Sequence, residues 1–190
     1  MEEIKEIVNS IYPVSGNSLN KIIDLIEYEE YQKDSCFIEK GTHDYHEYFL
    51  LEGICRSFVL NPEGEEITIA FFTPGSVLSP WVTRTVEGIS NLNFQALTGI
   101  KLGTMDASKF LSLMVDQVDA REFGNMVLKI ELKNKVEKEI GHASLTAKER
   151  LLKFREQFSL LENLVPHTTI ATYLGITNIS LSRLRKELIA

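Results

Sequence analysis

Apolar residues near the start of the chain recur at helical spacing. Ile4, Ile7, Val8 and Ile11 line one face of a helix over Glu2 to Tyr12, which Pro13 and Gly16 bring to an end. Asn17 or Ser18 is placed to cap a second helix running through Ile26. From Tyr28 the period changes. Short runs of β-branched and aromatic residues are separated by Gly41, Gly53, Asn61-Pro62-Glu63-Gly64 and Pro74-Gly75, a pattern that predicts short strands joined by regular turns in a sandwich or barrel. Glu65 to Phe72 alternates, with Ile67, Ile69 and Phe71 on one face and Thr68, Ala70 and Phe72 on the other. Asn93 to Leu102 reads as a further strand pair.

After Met105 the helical period returns, first over Asp106 to Val115 and then over a longer stretch from Val118 to His142. Phe123, Met126, Val127 and Ile130 form an apolar stripe on that long helix, continued less cleanly by Val136 and Ile140. Such a stripe needs a partner, which the body of the same subunit could supply, but a long helix joining two modules is also a natural two-fold seam, so the stripe is expected to dimerise. Thr146-Ala147-Lys148-Glu149 fits a capping box and starts a helix that buries Leu151, Leu152, Phe154 and Phe158 and ends near Leu164. With no internal repeat, the economical organisation is a module over 1–116, a connecting helix over 117–143 and a terminal module over 144–190.

The stretch from Val165 to Leu188 carries the most specific pattern. Thr168 or Thr169 is placed to cap a short helix whose Ile170, Ala171 and Leu174 face inward, the small Ala171 permitting close approach of another helix. Gly175 supplies a left-handed turn residue, Ile176 plugs the corner, and Thr177 caps a second helix. That helix buries Leu181, Leu184 and Leu188 while Asn178, Ser182, Arg183, Arg185 and Lys186 stay outside. This is the arrangement of a helix-turn-helix, whose second helix enters the major groove of DNA. A plain helical hairpin with a solvated basic face is the simpler alternative; the small residue, corner glycine, cap and basic face coinciding at recognition-unit spacing favour the DNA-binding reading.

Charge modifies this picture without overturning it. The net charge of −7 excludes a chain that coats nucleic acid with its whole surface. Thr146 to Ala190 nevertheless carries seven basic residues against four acidic ones, which leaves −10 on the remainder. Cys36 and Cys55 are too few for a disulfide framework and are expected to be reduced thiols. No apolar run approaches the roughly 20 residues that cross a bilayer, and Met1-Glu2-Glu3 lacks the basic start of a signal peptide, so no membrane association and a cytoplasmic location are expected.

The run from Thr146-Ala-Lys-Glu-Arg150 through Ile170-Ala-Thr-Tyr-Leu-Gly-Ile-Thr177 to Leu181-Ser-Arg-Leu-Arg185 resembles the DNA-binding domain of the Crp/Fnr family, named for the cyclic-AMP receptor protein and the fumarate-nitrate regulator. The glycine-punctuated strands, including Glu47-Tyr-Phe-Leu-Leu-Glu-Gly53 and Phe72-Thr-Pro-Gly75, resemble that family's eight-stranded jelly-roll sensor more weakly. The resemblance implies an α+β fold: an N-terminal, cyclic-nucleotide-binding-like jelly roll, a long dimerisation helix, and a C-terminal winged-helix-like helix-turn-helix. It also implies a homodimer that binds a palindromic site on double-stranded DNA and touches RNA polymerase, and not an enzyme. By position, Asn178, Ile179, Ser182 and Arg183 would read bases. Thr168, Thr169, Thr177, Ser180, Arg185 and Lys186 would contact phosphates. Two departures stand out: Ile179 replaces the Glu of many relatives, and the chain given stops at Ala190, leaving no room for a wing hairpin after the recognition helix.

Cyclic-nucleotide binding in that family uses a Gly-Glu pair for the ribose and an Arg for the cyclic phosphate. The corresponding stretch here reads Ser79-Pro80 and Ser90-Asn91, and Arg84, in an expected loop, is a poor substitute, so cyclic AMP is not expected to be the effector. Two isolated cysteines cannot supply the four thiolates of an iron–sulfur cluster. His43 and His46, near Asp44 and Glu47, fit an exposed polar turn better than a metal site, and no metal or cofactor is assigned. Phe72, Trp81 and Phe94 are expected to be jelly-roll core, although they could line a pocket. A cupin-type enzyme is disfavoured because His142 and His167, two of the four histidines, fall in the helical half. A ligand-binding jelly roll that acts through protein partners without DNA is the remaining alternative.

Overall fold

A computed structural model describes residues 1–159 and 161–188. By internal contacts the chain divides into two compact units, Met1–Ser57 with Phe71–Leu132, and Phe58–Ala70 with Lys133–Ala190. The long helix and one hairpin thus belong partly to each, a division that the hydrophobic pattern alone does not reveal.

The first unit begins with α1 (Glu2–Ile11) and α2 (Gly16–Asp24). The cap of α2 is Ser15, whose Oγ accepts from the Ser18 N–H (3.3 Å), and not Asn17 or Ser18. Ser18 lies inside the helix because its hydroxyl donates to Asp119 Oδ1 (2.5 Å). The strands are β1 (Glu27–Tyr31), β2 (Cys36–Ile38), β3 (His46–Glu52), β4 (Cys55–Leu60), β5 (Glu66–Phe72), β6 (Thr85–Val86), β7 (Ile89–Ser90), β8 (Asn93–Ala96) and β9 (Ile100–Asp106), with α3 (Trp81–Arg84) between β5 and β6. They form sheets ordered β1-β9-β3 and β2-β8-β4-β5, and a small β6-β7 ribbon, so the jelly-roll expectation holds, with the short ribbon added to the main strands. Gly53 turns β3 into β4 at φ 81°, and a Cβ there would lie 2.1 Å from the Gly99 carbonyl oxygen, so only glycine fits.

Helices α4 (Ala107–Asp116) and α5 (Val118–Ser144) follow the strands. Ile4, Val8, Ile22, Phe49, Met105, Phe110 and Phe123 form one apolar core in which α1, α2, α4 and the start of α5 cover β3 and β9. This core claims part of the stripe read from the sequence. Phe123 is 1% exposed, stacked on Phe49 at 6.4 Å, and Val127 is buried as well.

The second unit holds the tip of the β4–β5 hairpin, the end of α5, α6 (Ala147–Gln157), α7 (Leu161–Leu164), α8 (His167–Tyr173) and α9 (Asn178–Glu187). The capping box at Thr146 and Glu149 forms as expected. The single helix expected to reach Leu164 is instead two. Phe158 leaves helical geometry at φ −131°, ψ 65°, and its ring closes an aromatic cluster with Phe154 (5.3 Å) and Tyr173 (6.4 Å). Among the described residues no strand follows α5, so the winged form is not seen; the segments joining these helices are too short for a hairpin.

Candidate nucleic-acid interface

Helix α8 starts two to three residues earlier than a cap at Thr168 or Thr169 would place it, after Pro166, with no side-chain cap. Thr168 and Thr169 are therefore helical, and Thr169 is buried at 6% exposure, which takes its hydroxyl off any phosphate-facing surface. Ile170, Ala171 and Leu174 are buried as the periodicity requires. Gly175 adopts φ 66°, and a Cβ there would also press within 3.0 Å of the His142 ring, so the turn and the close approach both need glycine. Thr177 then caps α9, its Oγ1 accepting from the Ser180 N–H (3.1 Å).

Leu181 is fully buried, while Leu184 and Leu188 are half-buried, and this fixes which side of α9 faces outward. Asn178, Ile179, Ser182, Arg183 and Lys186 all lie on the exposed side, Ile179 at 68% exposure. Ser180 is half-buried, and Thr168 and Thr177 are exposed at the start of their helices. Arg185 departs from expectation. Its Nε lies 2.6 Å from Glu162 Oε1, an ion pair without hydrogen-bond alignment, and its Nη1 meets the His167 ring. Glu162 also takes a bidentate bond from Arg155 (2.7 and 3.0 Å), and those cations hold its carboxyl below the usual range, the Arg155 bond foremost. The sequence showed Arg185 to be outward but not that α7 would supply its counter-ion.

On α5, Phe123 and Val127 face their own core, Met126 is half-buried and Ile130 is 41% exposed. The side chains left outward are Leu128, Ile130, Leu132, Val136 and Ile140. Leu128, Leu132, Val136 and Ile140, spaced four apart, share one outward stripe, whereas Ile130, seven residues after Phe123, continues the Phe123 side of the helix beyond the core.

The His43–Tyr48 segment is not merely an exposed turn. Asp44 is buried and lies 2.8 Å from Arg84 Nη2, which also donates to the His46 carbonyl oxygen. Arg84 is not in a loop but closes α3, 1% exposed, with its guanidinium 5.3 Å from the Tyr48 ring and 5.9 Å from that of Phe94. Trp81 ties the same helix down. Its indole N–H donates to the Asp44 carbonyl oxygen (2.6 Å) and its backbone N–H to Glu47 (3.0 Å). Burial raises the Glu47 carboxyl to about 7, against that backbone bond and the Arg84 charge. Phe72 stacks on Phe94 at 5.9 Å and both are buried, so they are core. Burial also raises the Cys55 thiol far above its usual range, which leaves it an inert packing residue. Among the described residues no cluster of three or more His, Cys, Asp or Glu is placed to hold a metal.

A roll of antiparallel strands interrupted by a short α3 and followed by a long helix defines a class, and residues 28–117 match the cyclic nucleotide-binding domain family. The Crp/Fnr resemblance holds at the level of the fold. The structure of FixK2 from Bradyrhizobium japonicum superposes with a TM-score of 0.73 at 22% identity, covering 86% of this chain and 84% of that one. A CooA variant from Carboxydothermus hydrogenoformans gives 0.71 at 20% identity, covering 97% and 83%. A protein described as a transcriptional regulator of the crp/fnr family, from Eubacterium rectale, gives 0.73 at 15% identity, covering 94% and 87%. No curated protein sequence matches the chain significantly. No helix among the described residues is long and apolar enough to cross a membrane.

The residues fit a cyclic nucleotide poorly. Pro80 and Ser90, which stand where the resemblance puts the Glu and the Arg, are buried and uncharged, and the buried cation nearby in sequence, Arg84, already has Asp44 as its counter-ion.

Proposed function

We propose that this chain is a sequence-specific, DNA-binding transcription regulator of the Crp/Fnr type, and not an enzyme, in which α8, the Gly175 turn and α9 form a helix-turn-helix. The observation that carries this reading is the outer side of α9: Asn178, Ile179, Ser182, Arg183 and Lys186 are exposed on a helix held by the buried Leu181, and neither Arg183 nor Lys186 has a partner among the described residues. Asn178, Ile179, Ser182 and Arg183 read base edges in the major groove, Arg183 as a two-bond donor to guanine. Thr168, Thr177, Ser180 and Lys186 engage phosphates, which positions the helix. Arg185 reaches a phosphate only by releasing Glu162, and Thr169 supports α8 from inside.

The chain works as a cytoplasmic homodimer through the outward stripe of α5, from Leu128 to Ile140. Two α9 helices related by a two-fold axis then select a palindromic operator, and a surface of the dimer meets RNA polymerase. Ile179, where many relatives carry Glu, gives an operator that differs from theirs. Cyclic AMP is not the effector, and calorimetry that found micromolar binding would overturn that statement. The reading as a whole is tested by selecting DNA sites from a random pool and measuring affinity at two salt concentrations. Specific binding that weakens steeply with salt is expected, and the absence of any selected sequence would favour a module acting through protein partners.

A further inference from the structure

The second unit contains a cavity of about 350 Å³ that the DNA-binding reading does not use. Its walls come from the end of α5, from α6 and from the end of α8. Lys138, Arg150 and Lys153 bring three cations to it against the single carboxylate of Glu137, and His142 adds a ring nitrogen. Phe154 and Tyr173 supply aromatic surface. This volume lies at the lower end of ordinary small-molecule sites, which run from about 300 to 1,000 Å³, and the lining is more polar and charged than is usual for them, which suits a charged occupant.

The positive charge here is only partly spent. Lys138 is half-buried, gives its Nζ to the Ile69 carbonyl oxygen (2.6 Å), and lies 4.2 Å from the Tyr173 ring centroid. Arg150 donates Nε to the Leu174 carbonyl oxygen (2.9 Å) and Nη1 to that of Leu145 (2.6 Å), which aims the guanidinium while Nη2 keeps no partner among the described residues. Lys153 is exposed and forms no close ion pair among them, although, after the Thr146 hydrogen bonds, its charge helps to lower the Glu149 carboxyl. The field is felt locally. Burial first, then the charges of Lys138 and Arg150, holds the His142 imidazole below its usual range, against a backbone bond with Tyr173.

We propose that this cavity binds a small organic anion, a carboxylate or phosphate carried on a flat ring. The acid group meets Arg150 Nη2 and Lys153, and the ring lies against Tyr173 and Phe154. An occupant touches α5 and α8 together, and so spans the bend at Leu145 and Thr146 where α5 passes into α6; it is placed to set how the first helix of the terminal pair stands on the end of α5.

The test uses the full chain without DNA, so failure of this site leaves the DNA-binding reading untouched. Phenyl phosphate, benzoate and inorganic phosphate are titrated by calorimetry into the wild type, into Lys153→Glu, and into Lys21→Glu, a matched charge reversal outside the cavity. Binding of phenyl phosphate or benzoate is expected, at least tenfold tighter than inorganic phosphate, about tenfold weaker in Lys153→Glu and unchanged in Lys21→Glu. The absence of binding by either ring-bearing anion, equal affinity for inorganic phosphate, or equal losses in the two variants would each overturn the proposal. Circular dichroism melting confirms that the variants are folded, and Lys153→Gln, which removes charge without reversing it, should fall between wild type and Lys153→Glu.

Discussion

Arg84 on α3 and Arg183 on α9 meet opposite fates. Arg84 is 1% exposed, ion-paired with Asp44 and enclosed by the rings of Tyr48 and Phe94. Arg183 is exposed on α9 with no partner among the described residues. A buried cation must be neutralised within the fold, because its desolvation costs several kcal/mol in practice. An exposed cation keeps its hydration and exchanges it for a ligand when one arrives. Arg84 is therefore part of what holds the roll together, and Arg183 is available for recognition. Arg185 stands between them: it is on the outward helix, yet half-buried and held by Glu162 and His167.

The sharpest way to break this comparison is Asp44→Ala, which leaves Arg84 buried without its counter-ion. A loss of about 3–5 kcal/mol in urea denaturation is expected, while Arg183→Ala should leave stability within about 0.5 kcal/mol of wild type. Equal stability of the two variants would mean that Arg84 is not performing a structural role.

Glu47 gives the same cluster a pH dependence. Its folded-state carboxyl titrates at about 7 rather than 4.5, so between those values the folded chain holds a proton that the unfolded chain has released. The contribution of Glu47 to stability is therefore full below pH 4.5 and lost as pH rises through about 7, a change on the order of 3 kcal/mol. Denaturation midpoints measured at pH 5 and pH 8 should differ less in Glu47→Gln than in wild type.

The remaining effects concern recognition. Arg183→Ala should cost roughly 1–3 kcal/mol of specific DNA affinity and relax preference at one base position, as read from competition among single-base operator variants. Lys186→Ala should weaken all sequences alike and lower the slope of log affinity against log salt by about 1. If both variants relax the same base position, the division of α9 into reading and positioning residues is wrong.

The helical half was the more legible in the sequence, since its signals are local. Thr146 with Glu149, Gly175 and Thr177 each act on backbone groups within a turn of themselves, and each sits in the structure as its chemistry requires. The start of α8 after Pro166 was a local misreading, but other misplaced features depended on distant partners. Ser18 was taken from the cap of α2 by Asp119, Phe158 from its helix by packing on Tyr173, and Phe123 from the outer face of α5 by Phe49 and Phe110. Asp44 and Glu47 read as exposed turn residues because nothing in their neighbourhood announces Arg84 and Trp81, which reach them from α3.

What the amino-acid order determined by itself was therefore most of the series of elements, the caps at Thr146 and Thr177, the turn at Gly175, and which side of α9 is polar, because propensity, capping and periodicity act over a few residues. Only the tertiary structure decided which charges are spent. Asp44 neutralises Arg84 and Glu162 holds Arg185, while Arg183 stays without a partner among the described residues. Ion pairing and desolvation depend on distances that close only when the chain has folded.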